Sequence, residues 1–162
     1  MLPEPVPSRL LQPPARTSLG WREWLALPAL GVDAIKAKID TGARSSALHV
    51  EALETFREGG VLHVHFVVRV RRRGDTVIAC RAPVSDRRQV TDSGGHRSER
   101  WFIRTDIVLA GQRFATDINL SDRRSMLFPL LVGRSTLDGR FCVDPALSYT
   151  CPRPARDVPA PP

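Results

Sequence analysis

The stretch KIDTGARSSALH, residues 38–49, decides how this sequence is interpreted. Apolar and basic residues alternate over residues 35–39, which predicts a strand that carries Asp40 at its end. Thr41 offers a hydroxyl that can bond backbone and brace the loop. Gly42 lets backbone approach closely and permits torsions that other residues resist. The pattern therefore predicts a carboxylate that is held rigidly and stays open to a substrate.

Most of the remaining chain shows the period of two that is typical of half-buried strands. Every even position from 62 to 70 is apolar, and similar alternation recurs over residues 101–109 and 114–120. A turn is predicted at Ala110-Gly111. Helical periodicity is weak and is confined to residues 51–57 and a short turn that begins at Arg134. Many short strands joined by polar or Gly-containing turns indicate an all-β, barrel-like domain.

Length and composition favour one domain with loose ends. The chain has 162 residues and a formal charge of +7, from 24 basic and 17 acidic residues. We expect a single domain over residues 19–150, flanked by proline-rich arms at residues 1–18 and 151–162. The three cysteines suggest no disulfide framework. No apolar run is long enough for a membrane span or a signal peptide, so we expect a cytoplasmic protein without a membrane partner.

A second motif lies about 90 residues after the first. Leu131, Val132, Gly133 and Arg134 form an apolar-apolar-Gly-Arg sequence. Together with Asp-Thr-Gly-Ala at residues 40–43, it resembles the retropepsin-like aspartic proteases, in which such a strand passes beside the Asp-Thr-Gly loop. Over residues 20–149 the chain more closely resembles a bacterial family of RimB-like retropepsin-like endopeptidases, also labelled ATP-dependent zinc proteases. The resemblance implies a retropepsin-like acid protease β-barrel with one short C-terminal helix.

The resemblance also implies a mechanism and partners. One chain carries one Asp-Thr-Gly motif, so a homodimer is expected to bring two copies of Asp40 together around a water, with Thr41 bracing the pair. Gly42 belongs to the same catalytic loop. Gly94 and Gly95 are expected in a flap that closes over a peptide substrate. Relatives occur beside RimK-like ATP-grasp ligases that append glutamates, which implies a ligase partner and an acidic substrate. We expect no cofactor and no metal.

Arg44 departs from the viral pattern, in which an Asp follows Asp-Thr-Gly-Ala and pairs with the Arg of the second motif. Arg134 must then bond another group: Asp138, Asp144 or a backbone carbonyl. Ala43 and Arg44 are expected to line the substrate groove, where the guanidinium would favour acidic peptides through charge-assisted hydrogen bonds. Arginines near the flap would add to that preference.

Three alternatives stay open. Asp92-Ser93-Gly94 is a second Asp-Ser/Thr-Gly sequence, but a single-chain dyad is disfavoured because the chain has material for only one lobe. The domain could instead bind peptides or regulate a ligase without cleaving. A zinc hydrolase would need a third ligand beside His63 and His65, which the sequence does not offer. The sequence contains no Walker motif, and nucleic acid is not the expected partner.

Overall fold

The computed structural model describes residues 15–70, 76–122, 124 and 127–154, so most of both predicted proline-rich arms lies outside the described residues. Within these ranges the chain is nearly all β with one α-helix, which confirms the predicted fold class. None of the described helices is long and apolar enough to cross a membrane. The strands in chain order are β1 (Thr17–Leu19), β2 (Arg22–Leu27), β3 (Val32–Ile39), β4 (Ser46–His49), β5 (Glu51–Glu58), β6 (Val61–Arg69), β7 (Val77–Pro83), β8 (Asp86–Thr91), β9 (Arg97–Leu109), β10 (Gln112–Ser121), β11 (Leu130–Val132) and β12 (Phe141–Val143), and the helix is α1 (Arg134–Leu137).

Six strands are paired in a closed ring. The order is β10-β4-β11-β3-β2-β9, and β9 pairs again with β10 to complete the circuit. The 13-residue β9 also carries β8 on the edge that it shares with β2, so β8 and β9 extend beyond the ring as a hairpin. Strand β11 lies between β3 and β4, parallel to the first and antiparallel to the second. The ring therefore places the two sequence motifs side by side.

A separate antiparallel sheet, β5-β6-β7, packs on the same core as the ring. The alternation predicted over residues 62–70 is confirmed, since Val64, Phe66 and Val68 are fully buried in the core. The helix predicted over residues 51–57 is wrong, because β5 occupies that segment. A two-residue turn of glycines with positive φ, Gly59-Gly60, folds β5 onto β6, and the ladder between them supplies the hydrogen bonds that a helix would have made.

The predicted turn at Ala110-Gly111 is confirmed and joins β9 to β10. Both residues have positive φ, 53° and 71°, which is the geometry of a type I′ hairpin turn. The short helix predicted at Arg134 is also confirmed. These local signals succeeded because each depends on a few adjacent residues.

A buried carboxylate fastens the C-terminal segment to β2. Glu23 is fully buried and accepts hydrogen bonds from the N–H of Gly20 (2.8 Å), Thr150 (3.1 Å) and Cys151 (3.3 Å), and from the Thr150 hydroxyl. A side chain at Gly20 would collide with the Leu147 carbonyl, 2.3 Å from an added Cβ. The segment therefore lies close against β2, and the Glu23 carboxylate accepts hydrogen bonds from N–H groups that would otherwise lack an acceptor.

Replacing Glu23 with glutamine should lower the free energy of unfolding by about 2–3 kcal/mol, because an NH₂ group would then face a backbone N–H that needs an acceptor. Urea denaturation of the purified protein measures this. Glu54→Gln, an exposed carboxylate on β5, is the matched control and should change stability by less than about 0.5 kcal/mol. Equal loss in the two variants would contradict the anchoring role.

Candidate functional site

Asp40 follows directly after β3 and is held mainly by backbone. Its N–H donates to the carbonyl of Val132 (2.9 Å), which ties it to β11. Its Oδ1 accepts hydrogen bonds from the N–H groups of Gly42 (3.0 Å) and Ala43 (3.2 Å). No described residue donates to Oδ2, and Asp40 itself is partly exposed. One carboxylate oxygen is thus fixed while the other stays available, as the sequence predicted for this position.

Of the two properties of glycine considered for Gly42, the structure uses close approach and not an unusual torsion. The φ of Gly42 is not among the positive values, so the loop does not require a torsion that other residues resist. Instead, a Cβ at this position would lie 3.2 Å from Oδ1 of Asp40, which is tighter than ordinary contact. Glycine therefore lets the loop fold tightly over its own carboxylate. Thr41 and Arg44 are exposed, and Ala43 is partly buried.

The loop after β3 crosses the segment after β11 at Gly133. A Cβ on Gly133 would lie 2.6 Å from the backbone C and O of Ser45, a distance that real Cβ atoms do not show. Directly after the crossing, the N–H of Arg134 donates to the Ala43 carbonyl and that of Ser135 to the Arg44 carbonyl, both at 2.9 Å. The predicted floor of Leu131, Val132 and Gly133 therefore lies beside the Asp40 loop.

A chain of buried hydroxyls lies beneath this crossing. Ser46 Oγ accepts from the Gly133 N–H (3.0 Å) and lies 2.6 Å from Thr136 Oγ1, which in turn lies 2.7 Å from Thr116 Oγ1. All three hydroxyl residues are buried, with relative exposures of 1%, 4% and 2% for Ser46, Thr116 and Thr136. They connect β4, α1 and β10 to the loop. A single sequence does not reveal this network, because its bonded members are 20 to 90 residues apart.

The Arg134 side chain bonds backbone carbonyls, which decides among the three partners left open. Its Nη1 donates to the carbonyls of Thr41 (3.1 Å) and Gly42 (3.0 Å). No ion pair joins it to Asp138 or Asp144, both of which are described. The guanidinium therefore grips the outer side of the Asp40 loop, and Arg44 is free of the ion pair that viral retropepsins make here.

The β8–β9 hairpin extends over a cavity of about 610 Å³ that Asp40 also lines. Its tip, residues 92–96, is closed by Asp92, whose Oδ1 accepts from the N–H groups of Gly94 (2.9 Å) and His96 (3.0 Å). Asp92 and Ser93 line the cavity; Gly94 and Gly95 form the exposed tip, with a φ of 81° at Gly95. This position over Asp40 matches the one expected for a flap.

The cavity is basic, and most of its cations are held in place. Arg88 contacts Asp86 (2.8 Å) and stacks on Phe102 with its guanidinium carbon 3.8 Å from the ring centre. Arg100 donates to Oδ1 of Asn119 (3.3 Å), whose Nδ2 donates to the Ser46 carbonyl. Asn119 thus joins Arg100 to the backbone of β4, a link for which the sequence has no signal.

Arg44 differs from these arginines, because it makes no ion pair with any residue that the structure describes. Its exposed side chain lines the cavity near Asp40. An arginine without an internal carboxylate keeps its donors for a bound anion. Arg44 therefore lines the same cavity as Asp40 and is exposed, while its contact with a substrate stays a prediction.

The donors required for a zinc site are not brought together in the described part of the chain. No group of three or more His, Cys, Asp or Glu side chains is arranged to hold a metal ion there. His63 bonds the Val61 carbonyl and stacks on Phe56, on the separate sheet and away from the cavity. The residues present do not fit the zinc chemistry in the family label.

A nearly all-β ring with an Asp-Thr-Gly loop at the end of one strand, crossed by an apolar-apolar-Gly strand, defines a retropepsin-like domain. The family model described as "Retropepsin-like aspartic endopeptidase RimB" matches residues 18–154. The chain therefore belongs to the RimB-like family of retropepsin-like aspartic endopeptidases. This membership confirms the resemblance seen in the sequence.

Other similar proteins fall into two groups. Proteins named "Probable alpha-L-glutamate ligase" match at 38% identity in Desulfotalea psychrophila and 35% in Shewanella pealeana, over 82% and 81% of this chain. The matched region makes up only 29% of the length of each relative. The crystal structure of a protein of unknown function (DUF785) from Legionella pneumophila superposes with a TM-score of 0.71 at 25% identity, covering 84% of this chain and 98% of that one.

The tip of the β8–β9 hairpin should remain folded in mild acid. Donation by the N–H of His96, and then of Gly94, holds the pKa of Asp92 below its usual range. A lowered pKa stabilises the tip fully above the pKa of an unfolded Asp, and this stability is lost as the pH falls through the lower folded value. An NMR acid titration should show the Gly94 and His96 amide signals moving with a midpoint below that of a peptide spanning residues 90–98. Identical midpoints would contradict the contribution of these bonds.

Proposed function

We propose that this protein is an aspartic peptidase that acts as a homodimer and hydrolyses peptide bonds with a water activated between two Asp40 carboxylates. The observation that carries the proposal is the Asp40 loop, in which backbone N–H groups fix Oδ1 while Oδ2 has no partner among the described residues. A carboxylate in a shared pair needs this combination of rigidity and access. The cavity beneath the β8–β9 hairpin provides room for a peptide.

The chemistry follows from placing two carboxylates close together. Two such groups cannot both ionise cheaply, so the pair keeps one proton. The ionised Asp40 takes a proton from the water, whose oxygen attacks the peptide carbonyl carbon, while the protonated Asp40 gives its proton to the carbonyl oxygen. The tetrahedral intermediate then collapses: the protonated Asp40 gives its proton to the amide nitrogen, the C–N bond breaks, and the ionised Asp40 takes a proton from a hydroxyl of the intermediate, which restores the singly protonated pair.

The second copy is proposed to dock on the face that carries Thr41. A second cavity of about 600 Å³ is lined there by Thr41, Arg44 and Arg134, together with apolar residues of α1 and β12. Thr41 is exposed in the single chain, so its hydroxyl is available to a neighbour. An isologous contact through this face would bring both Asp-Thr-Gly loops to the two-fold axis.

The substrate is proposed to be an acidic or glutamate-modified peptide linked to a RimK-type ATP-grasp ligase. The basic cavity and the open Arg44 support an anionic substrate. The relatives named as glutamate ligases support a common setting for this domain and a ligase, since a region similar to this chain occupies part of each. The same fact favours a second candidate, a peptide-binding or regulatory module that does not cleave.

Asp40→Asn should abolish cleavage of a glutamate-rich peptide at mildly acidic pH, with a loss of at least about 10²-fold, because the water loses its base. Mass spectrometry of the products measures this. Asp33→Asn, an exposed position on the same strand, is the control and should cleave like wild type. Binding without Asp40-dependent cleavage in the wild type would favour the non-catalytic module.

Mixing the variants tests the dimer separately. After unfolding and refolding together, wild-type and Asp40→Asn chains should give activity that falls as the square of the wild-type fraction, because mixed dimers hold one carboxylate. A linear decline would show that one chain suffices and would contradict the shared pair.

Arg44→Glu should reduce the preference for acidic over neutral peptides by about tenfold or more, because a charge-assisted hydrogen bond to the substrate is replaced by repulsion. The ratio of kcat/KM for glutamate-rich and glutamine-rich peptides measures it. Arg57→Glu, an exposed arginine on β5, gives the same change in net charge away from the cavity. An unchanged ratio in Arg44→Glu would remove Arg44 from substrate selection.

A further inference from the structure

One row of residues crosses all six strands of the ring on a single face. Residues that are partners in register point to the same side of a sheet. The pairings run without interruption from the cavity to β2. In order, they join Phe102, Asn119, Ala47, Leu131, Lys38 and Arg22.

The row begins inside the cavity and ends outside it. Its first four members line the cavity, and Leu131 is the last of them. Lys38, the next residue in the row, is exposed, and Arg22 beyond it is half-buried. The floor of the proposed substrate site therefore continues onto the outer face of β3 and β2. No other strand lies between Leu131 and Lys38 or between Lys38 and Arg22.

This outer extension is basic and has no internal counter-charge. We call Arg22, Lys36, Lys38 and Arg153 the basic face. None of these four cations lies within ion-pair distance of a carboxylate in the described parts of the chain. Elsewhere arginines are paired across strands, as Arg113 is with Asp106 (2.9 Å). Unpaired cations grouped in one place form a surface that favours anions.

Aromatic rings keep the basic face in place. The Arg22 guanidinium carbon lies 4.6 Å from the Trp21 ring centre and 4.7 Å from that of Tyr149. Lys36 lies 5.2 Å from the Trp24 ring. Stacking on rings orients Arg22 and Lys36 without pairing either cation with a carboxylate of the described residues.

We propose that the basic face is an exosite that binds acidic side chains of a polypeptide whose cleaved part occupies the cavity. The proposal rests on the proposed function for the identity of the occupant. Adjacent strands are about 4.8 Å apart, so Leu131 and Arg22, two strands apart, are separated by about 10 Å, or about three extended residues. A substrate must therefore continue at least that far beyond the cavity to gain the interaction.

Two other occupants of the basic face, a second copy of this chain and a nucleic acid, explain the observations less well. A second copy of this chain docked symmetrically here would bring the same unpaired cations together. Nucleic acid would match the charge but would not explain why the row is continuous with the cavity that holds Asp40. An acidic polypeptide accounts for both the charge and the continuity.

The test compares the binding of two peptide lengths and needs no cleavage. Fluorescein-labelled oligoglutamates of four and twelve residues are titrated into Asp40→Asn protein, and fluorescence anisotropy gives the affinities. Adding Lys38→Glu should weaken binding of the twelve-residue peptide by about fivefold at low salt and leave the four-residue peptide within about twofold. Lys38 is exposed, so the substitution leaves the core intact. Arg57→Glu, with the same net charge, should leave both affinities unchanged.

Other outcomes would overturn the exosite. Equal weakening of both peptides would mean a general charge effect, and no weakening of the longer one would mean no contact. A twelve-nucleotide RNA that binds more tightly than the peptide and depends on Lys38 would identify a nucleic-acid surface instead. Failure of the proposed function looks different: Asp40-dependent cleavage would be missing while the length-dependent effect of Lys38 persisted.

Discussion

The close crossing of two backbone segments at Gly133 is the constraint on which the rest of the site depends. Because Gly133 has no side chain, the segment after β11 can pass within contact of Ser45 and donate its next two N–H groups to the Asp40 loop. The Arg134 side chain then reaches the outer carbonyls of that loop, and the hydroxyl of Ser46 closes the inner side. The crossing thus brings together the backbone hydrogen bonds and the two side chains, Arg134 and Ser46, that hold the Asp40 loop against the floor and the helix.

The parts of the molecule that the sequence predicted share one property: their signals are local. Alternation within single strands, the Ala110-Gly111 turn and the motif around Asp40 each lie within a few residues, and the fold confirms the first two directly. The error at residues 51–57 arose because Ala, Leu and Glu favour a helix, whereas the pairing of β5 with β6 overrides that preference. The hold of Asn119 on Arg100 joins residues 19 apart on two strands, a relation that one sequence does not reveal.

The formal charge of +7 can be interpreted further once it is known which basic side chains are paired with carboxylates. Many arginines are neutralised locally by carboxylates on neighbouring strands, as Arg81 is by Glu58 and Arg87 by Glu99. Such exposed pairs add little to stability and little to long-range attraction. Within the described residues, Arg44 and the basic face are among the cations that make no ion pair. Net charge does not give positions, whereas the strand pairings show that Lys38 and Arg22 follow directly on the cavity floor.

The parallel pairing of β1 with β12 has a consequence for how this domain is shared among proteins. Thr17 is aligned with Phe141 and Leu19 with Val143, and Glu23 fastens residues 150 and 151 to β2, so the first and last strands of the fold are immediate neighbours. A domain with adjacent entry and exit points can be spliced into a longer polypeptide without stretching either connection across its surface. Neighbouring terminal strands are therefore compatible with insertion of such a unit beside another domain.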